Sequence, residues 1–184
     1  PYPYPWDTTS SFTRSEKEMN EARITAERLR SVVHYDPETG KFTRLVRLAQ
    51  RHNVGDDAAH ATANGYQRVG IDGQRYLAHR LAWLYVYGAW PTQNIDHVNG
   101  DRSDNRIANL RDVPQAVNMQ NRRHPQADNK SGYLGVYWER GAKKWRSRVQ
   151  VAGKAHEVGL FDDPAVAHAA YVAKKRKLHE GCSI

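Results

Sequence analysis

Asn94 to Asn105 reads NIDHVNGDRSDN, with three aspartates, one histidine and three asparagines in twelve positions. The stretch admits three readings: a catalytic loop that holds a metal, a calcium loop, or a polar turn. Calcium loops of the EF-hand kind need oxygen ligands at positions 1, 3 and 5, glycine at 6 and a bidentate glutamate at 12. Counting from Asp101 puts Arg106 at position 6 and Asp112 at position 12. Counting from Asp96 puts Val98 at position 3 and Ile107 at position 12. Neither register works, which leaves a catalytic loop or a turn.

The flanks supply secondary structure. Upstream, YQRVGI and QRYLA flank Asp72-Gly73, a strong signal for a two-residue hairpin turn. HRLAWLYVYG reads as a helix ending at Gly88, with Pro91 just beyond. Downstream, NLRDV is a short strand. PQAVNMQNRR is a short helix with Pro114 in its first turn. The quoted stretch therefore sits between two strands, with a helix to follow.

That placement suits phosphodiester hydrolysis, which needs a base to activate water and a cation to offset charge. Asp96 and His97 adjoin at a strand end, so their side chains diverge and serve different tasks. Asp96 offers oxygen to a hard divalent cation. His97 offers a base whose ordinary pKa lies near neutrality. One carboxylate is a weak metal site, so a second oxygen ligand is expected from elsewhere. The downstream helix supplies Asn118, with Asn121 nearly on the same face. Such a set, completed by phosphate oxygens and waters, suits Mg2+ or a similar cation such as Mn2+.

Charge is unevenly spread. The net charge is +8; from Asn121 to Ile184 there are 13 Lys+Arg against 6 Asp+Glu, and before that 15 against 14. A basic segment joined to a near-neutral one points to a module that binds a polyanion. Cys182 is the lone cysteine, which excludes a disulfide framework within the chain and a multi-cysteine zinc site. No apolar run reaches the length of a membrane span, and no signal-peptide pattern opens the chain. These features read as a cytosolic protein with no membrane partner.

The basic segment reads strand, strand, strand, helix: YLGVYWE, KWRSRVQV, AHEVGLF and DPAVAHAAYVAKKRKLHEG. Asp163 is the expected N-cap, with Pro164 in the first turn. Along the middle strand Trp145, Ser147, Val149 and Val151 share one face. Arg146, Arg148 and Gln150 share the other. Arginine bonds guanine or phosphate with two N–H groups, glutamine bonds adenine, and a small sheet fits the major groove. The expected contacts with double-stranded DNA are Tyr137, Arg140, Lys143, Lys144, Arg146, Arg148, Gln150 and Lys154.

Two resemblances sharpen this reading. IDHVNGD, DNRIANLRDV and AVNMQN, within Tyr76 to Arg123, resemble the HNH endonuclease family, in the phage and homing branch whose last motif residue is asparagine. The upstream YDPETGKFTRL and NGYQRVGIDGQRYLAHR resemble the lead-in segments of the same phage proteins. The resemblance implies a ββα-metal finger, with His97 as general base and Asp96 as the metal-binding carboxylate. It also implies Asn109 as the asparagine that braces the loop and Asn118 as a metal ligand. The segment from Ser131 to Gly181 resembles the APETALA/ethylene-response-factor DNA-binding domain, through GV after the first aromatic, GLF and AVAHAAY. Tyr137, Glu139 and His156 fall around the places where plant members carry the arginine and tryptophan that read DNA, so the plant target does not transfer.

The expected architecture is α+β. Residues 1–15 form an extended Pro/Tyr-rich tail, and 16–124 form the nuclease domain, with its ββα core at about 93–123. Residues 125–130 are a linker, and 131–184 a three-stranded sheet plus one helix. Glu16 to Val33 reads as helix, and AQRHNVGDDAAHATANG as a long loop. His79 and Arg80 follow the hairpin; Arg80 is a candidate phosphate contact, although one of the pair is expected to be structural. Trp83, Trp90, Trp138 and Trp145 are expected in the core. The expected function is a metal-dependent, monomeric DNA endonuclease, a nicking or homing enzyme of phage or mobile-element origin acting in the bacterial host cell. The alternative is a DNA-binding regulator whose nuclease finger has decayed.

Overall fold

The computed structural model describes residues 24–121, 125, 128–151, 153–179 and 182. The extended tail expected at 1–15 and the first part of the helix expected from Glu16 lie outside them. The fold is α+β. The chain divides into two units, one of residues 1–97 and 101–112, the other of 98–100 and 113–184. Residues 125–130, read from composition as a linker, fall inside the second.

The first unit starts with helix α1 (Ala26–Val32), capped by Thr25, whose hydroxyl accepts from the Arg28 amide at 3.1 Å. Leu29 and Val32 are its buried residues. Val33, expected in the helix, is extended and opens strand β1 (Val33–Tyr35), which pairs antiparallel with β2 (Phe42–Arg44). The turn between them, DPETG, closes at Gly40 with φ +73.

The stretch read as one long loop holds a strand, β3 (Ala59–Ala61), paired with β4 (Gln67–Ile71). Its sequence, AHA, gave little strand signal; the pairing with Gln67–Val69 creates it. The hairpin between β4 and β5 (Gln74–Leu77) turns at Asp72-Gly73, both with positive φ, as such a turn demands. Arg28 clamps it, donating to both Asp72 oxygens at 2.9 and 2.8 Å.

Helix α2 (Ala78–Tyr87) follows at once and ends at Gly88, φ +73. Its Leu81, Ala82 and Leu84 pack with Val69, Ile71, Tyr35 and Phe42 into the core. Strand β6 (Asn94–His97) forms a two-stranded sheet with β7 (Leu110–Val113), after a 3-10 turn at Ile107–Asn109. Ile95 and Leu110 bury one side of this pair in the same core.

In the second unit, helix α3 (Gln115–Gln120) follows Pro114. Beyond it lie β8 (Val136–Glu139), β9 (Lys144–Val151) and β10 (Lys154–Phe161), an antiparallel sheet of order β10-β9-β8. Helix α4 (Pro164–Leu178) starts at Asp163, whose carboxylate accepts from the Ala165 amide at 2.6 Å. Val136, Ser147, Val149, Ala167 and Tyr171 are buried. Gly135 lets the sheet approach the helix: a Cβ there would lie 2.2 Å from the Tyr171 ring. Of the tryptophans expected in the core, Trp138 is 47% exposed, set edge-on against Trp145 at 5.1 Å. Among the described residues, no helix is long and apolar enough to cross a membrane.

Candidate active site

Strand β6 carries Asp96 and His97 into the interior of the first unit, 6% and 4% exposed. Burial of this kind requires partners. Asp96 has one in Arg111 on β7: both Nε (2.9 Å) and Nη2 (2.6 Å) donate to Oδ2. Sequence reasoning passed over Arg111, because only the β6–β7 pairing brings it to Asp96.

His97 sits in an aromatic and amide cage. The His79 ring meets it edge-on at 5.1 Å, and Tyr66 lies 6.0 Å away. Arg102 in turn covers the Tyr66 ring at 4.9 Å. Asn105, buried and left unassigned by the sequence reading, places Oδ1 3.5 Å from His97 Nε2. The Asn105 amide nitrogen donates to Gln67 Oε1 (2.8 Å) and to the Ser103 carbonyl (3.2 Å). With both amide hydrogens so directed, its oxygen faces the imidazole. The imidazole donates to this oxygen when Nε2 carries its hydrogen.

Burial pushes the His97 pKa below its ordinary value, opposed by the Asn105 contact and by Asp96, Asp101 and Asp104. The imidazole is therefore neutral at neutral pH, the form a general base needs.

The loop from Asp101 to Asn109 is fixed from several sides. Asp101 accepts from the Ser103 amide (2.9 Å) and hydroxyl (2.7 Å). Asn109 donates to the Asp104 carbonyl at 2.8 Å. From below, Tyr35 donates its hydroxyl to the Asn105 carbonyl at 2.7 Å. Burial, then Asp36, pushes the Tyr35 pKa up, so the phenol keeps its proton. The DPETG turn presses on the same place: a Cβ at Gly40 would lie 2.6 Å from the Arg106 nitrogen.

Of the pair after the hairpin, His79 reaches the site and Arg80 does not. Arg80 is 5% exposed, and its guanidinium donates to the Gln93 carbonyl (3.1 Å) and the Pro91 carbonyl (3.2 Å). Arg80, a candidate phosphate contact by sequence, holds the approach to β6 through these bonds. Asn118 lies half-buried on α3, in the second unit.

Among the described residues, no group of three or more His, Cys, Asp or Glu could hold a metal ion. A site built from one carboxylate, an asparagine oxygen and waters has no such group. Oxygen donors of that kind fit Mg2+, which keeps several waters and uses few protein ligands.

On the second unit, the sheet surface away from α4 carries the residues expected at DNA. Arg148 and Gln150 are exposed, and Arg148 covers the Tyr137 ring at 4.9 Å. Arg140, Lys143 and Lys154 are exposed as well. Arg146 differs from the expectation of a bare guanidinium: it pairs with Glu139 at 3.3 Å and Glu157 at 3.9 Å. Lys144 pairs with Asp162 at 3.2 Å.

Residues 76–120, which contain His79, His97, Asn105 and the strand pair, match the model of the HNH endonuclease family. The chain is also 32% identical over 102 residues to Protein 3.8 of Escherichia phage T7, covering 55% of this chain and 83% of that protein. It belongs to the same family as that phage protein and carries an HNH nuclease domain. No solved structure matches it significantly.

Proposed function

We propose that this protein is a divalent-cation-dependent DNA endonuclease that nicks or cuts a chosen site. The observation that carries the reading is His97: buried, neutral, held by Asn105 and next to Asp96. His97 accepts a proton from water, and the resulting hydroxide attacks the phosphodiester. Asp96 and Asn118 hold the cation; the assignment of Asn118 rests on the sequence motif. When bound, the cation, Mg2+ or a similar ion, supplies positive charge to the phosphate and the departing 3′ oxygen. Arg111 holds Asp96 by one oxygen, which fixes the carboxylate. Asn109 keeps the loop closed behind the histidine.

The second unit supplies affinity and site choice, as a domain of the APETALA/ethylene-response-factor kind, through Tyr137, Arg148, Gln150 and the exposed lysines. Three strands in this order on one helix support that reading, as does the glycine seated against Tyr171. A single catalytic centre makes one broken strand per binding event the natural product of a monomer. Homing fits such an enzyme with a phage relative.

The test is nicking of supercoiled plasmid with Mg2+, Mn2+ and EDTA. Wild type should nick only with a divalent cation. His97→Ala and Asp96→Ala should bind DNA without nicking. Absence of nicking with every cation would instead support a DNA-binding regulator.

A further inference from the structure

On the first unit, away from the His97 cage, lies a cavity of about 570 Å³, within the range of ligand pockets, ~300–1,000 Å³. Side chains alternate along β4. Val69 and Ile71 face the core and Gln67 reaches Asn105, so Arg68 and Gly70 line the opposite surface, where the cavity is. The other wall is the segment after β2, with Leu48, Ala49 and His52.

The charge of this cavity is one-sided. Arg44, Arg68 and Arg75 line it, with His52 and His60. Asp72 is its one lining carboxylate among the described residues, and both Asp72 oxygens accept from Arg28. Asp56, close enough to act on His52, accepts from the Asn53 amide at 2.8 Å.

Arg44 is the telling residue. It is 2% exposed, and its guanidinium makes one long bond, 3.4 Å, to the Gly70 carbonyl. Among the described residues no carboxylate forms an ion pair with it. A guanidinium has five N–H donors and never gives up its charge inside a protein. Burying it with so little compensation is costly unless an anion completes the site. Nearby, His52 Nδ1 is buried with no hydrogen-bond partner among the described residues.

We propose that this cavity binds a phosphate group carried by a nucleotide, free or within a DNA strand, with Arg44 at its base and Arg75 at its mouth. Planar guanidiniums match phosphate oxygens in pairs, and Gln74 adds a neutral polar group to the lining. That the phosphate belongs to a nucleotide rests on the nuclease reading; the anion site itself does not.

The experiment uses the full chain carrying His97→Ala, in EDTA, so that neither a metal nor turnover takes part. Inorganic phosphate, deoxyadenosine monophosphate and a short DNA duplex are titrated by calorimetry and by thermal melting. At least one probe should bind and raise the melting temperature. Arg75→Ala should weaken that binding about 10-fold or more. In Arg44→Met the melting temperature should no longer respond to the probe. If Arg44→Met does not fold, Arg75→Ala decides, because that side chain is exposed. Response to the monophosphate identifies a free nucleotide as the source; because the second unit is proposed to bind duplex by itself, only a duplex response that Arg75→Ala weakens identifies the strand. No response to any probe, or the same response in Arg75→Ala as in the parent, overturns the proposal. Loss of the phosphate and monophosphate responses leaves duplex binding by the second unit and plasmid nicking untouched, so the nuclease reading stands or falls separately.

Discussion

The two halves of the chain place the polar side chains of their candidate sites in opposite ways. In the first, Asp96, His97, Asn105 and Asn109 are buried, and each has a named partner at hydrogen-bond range. In the second, Arg148, Gln150 and Lys154 stand in solvent on a sheet. On the proposed function, the difference follows from what each has to do. A proton-transferring histidine works in one geometry and one protonation state, and burial fixes both. A surface for a polyanion works through charge presented to solvent, where counterion release supplies most of the affinity.

The largest expected effect tests the buried half. His97→Ala should lower the nicking rate by roughly 10²–10⁴-fold, the usual worth of a positioned general base, while DNA affinity by gel shift stays unchanged. Equal loss of both would erase the contrast between the halves.

Next come two glycines, one in each half. Gly40→Ala meets both a positive φ and the Arg106 backbone, and should cost about 1–3 kcal/mol. It should reduce nicking while leaving DNA affinity alone. Gly135→Ala drives into the Tyr171 ring and should reduce affinity instead. Melting curves and gel shifts on both variants check this. If Gly135→Ala binds DNA normally, the second unit is not the DNA-binding half.

Arg148→Ala should cost about 1–3 kcal/mol of DNA binding if it reads a base. If it contacts only phosphate, it should lower the salt slope by about one. Binding measured across salt concentrations separates the two, and an unchanged constant would remove Arg148 from the interface. Asn105→Ala should slow nicking by about 10-fold, near 1.4 kcal/mol, through a loosened His97. Affinity should not move, since Asn105 acts through the histidine.

The smallest effect is acid sensitivity. Hydrogen bonds from the Thr39 hydroxyl and the Glu38 amide hold the Asp36 pKa below the ordinary 3.8, and Ser103 does the same for Asp101. A carboxylate whose folded pKa is depressed stabilises the fold above its unfolded value. That stabilisation fades as pH falls through the folded one. Melting temperature of the first unit should therefore drop as pH falls below about 4, and Asp36→Asn should flatten the drop. An unaltered pH profile in Asp36→Asn would show that the DPETG turn does not contribute.

Much of this was legible in local sequence. Asp72-Gly73 turns because both positions need positive φ, Gly88 ends α2 for the same reason, and Asp163 caps α4 through its own carboxylate. These are short-range effects that two or three residues contain in full. The strand β3 was not legible, because AHA becomes a strand only when β4 lies beside it. That Arg146 pairs with Glu139 and Glu157 was not legible either, because these acids lie on the neighbouring strands.

The same division runs through the site. The sequence by itself determined that Asp96 and His97 adjoin at a strand end and that the basic charge gathers in the last third. Tertiary structure decided the rest: that Asn105 meets His97, that Arg111 holds Asp96, that His79 joins the cage while Arg80 does not. It also decided that Arg44 is buried without a carboxylate among the described residues. The physical reason is range. Turns and caps are settled by the residues next to one another in the chain. The company of a buried charge is settled by packing between elements, such as the 38 residues that separate Gln67 from Asn105, and no local pattern encodes it.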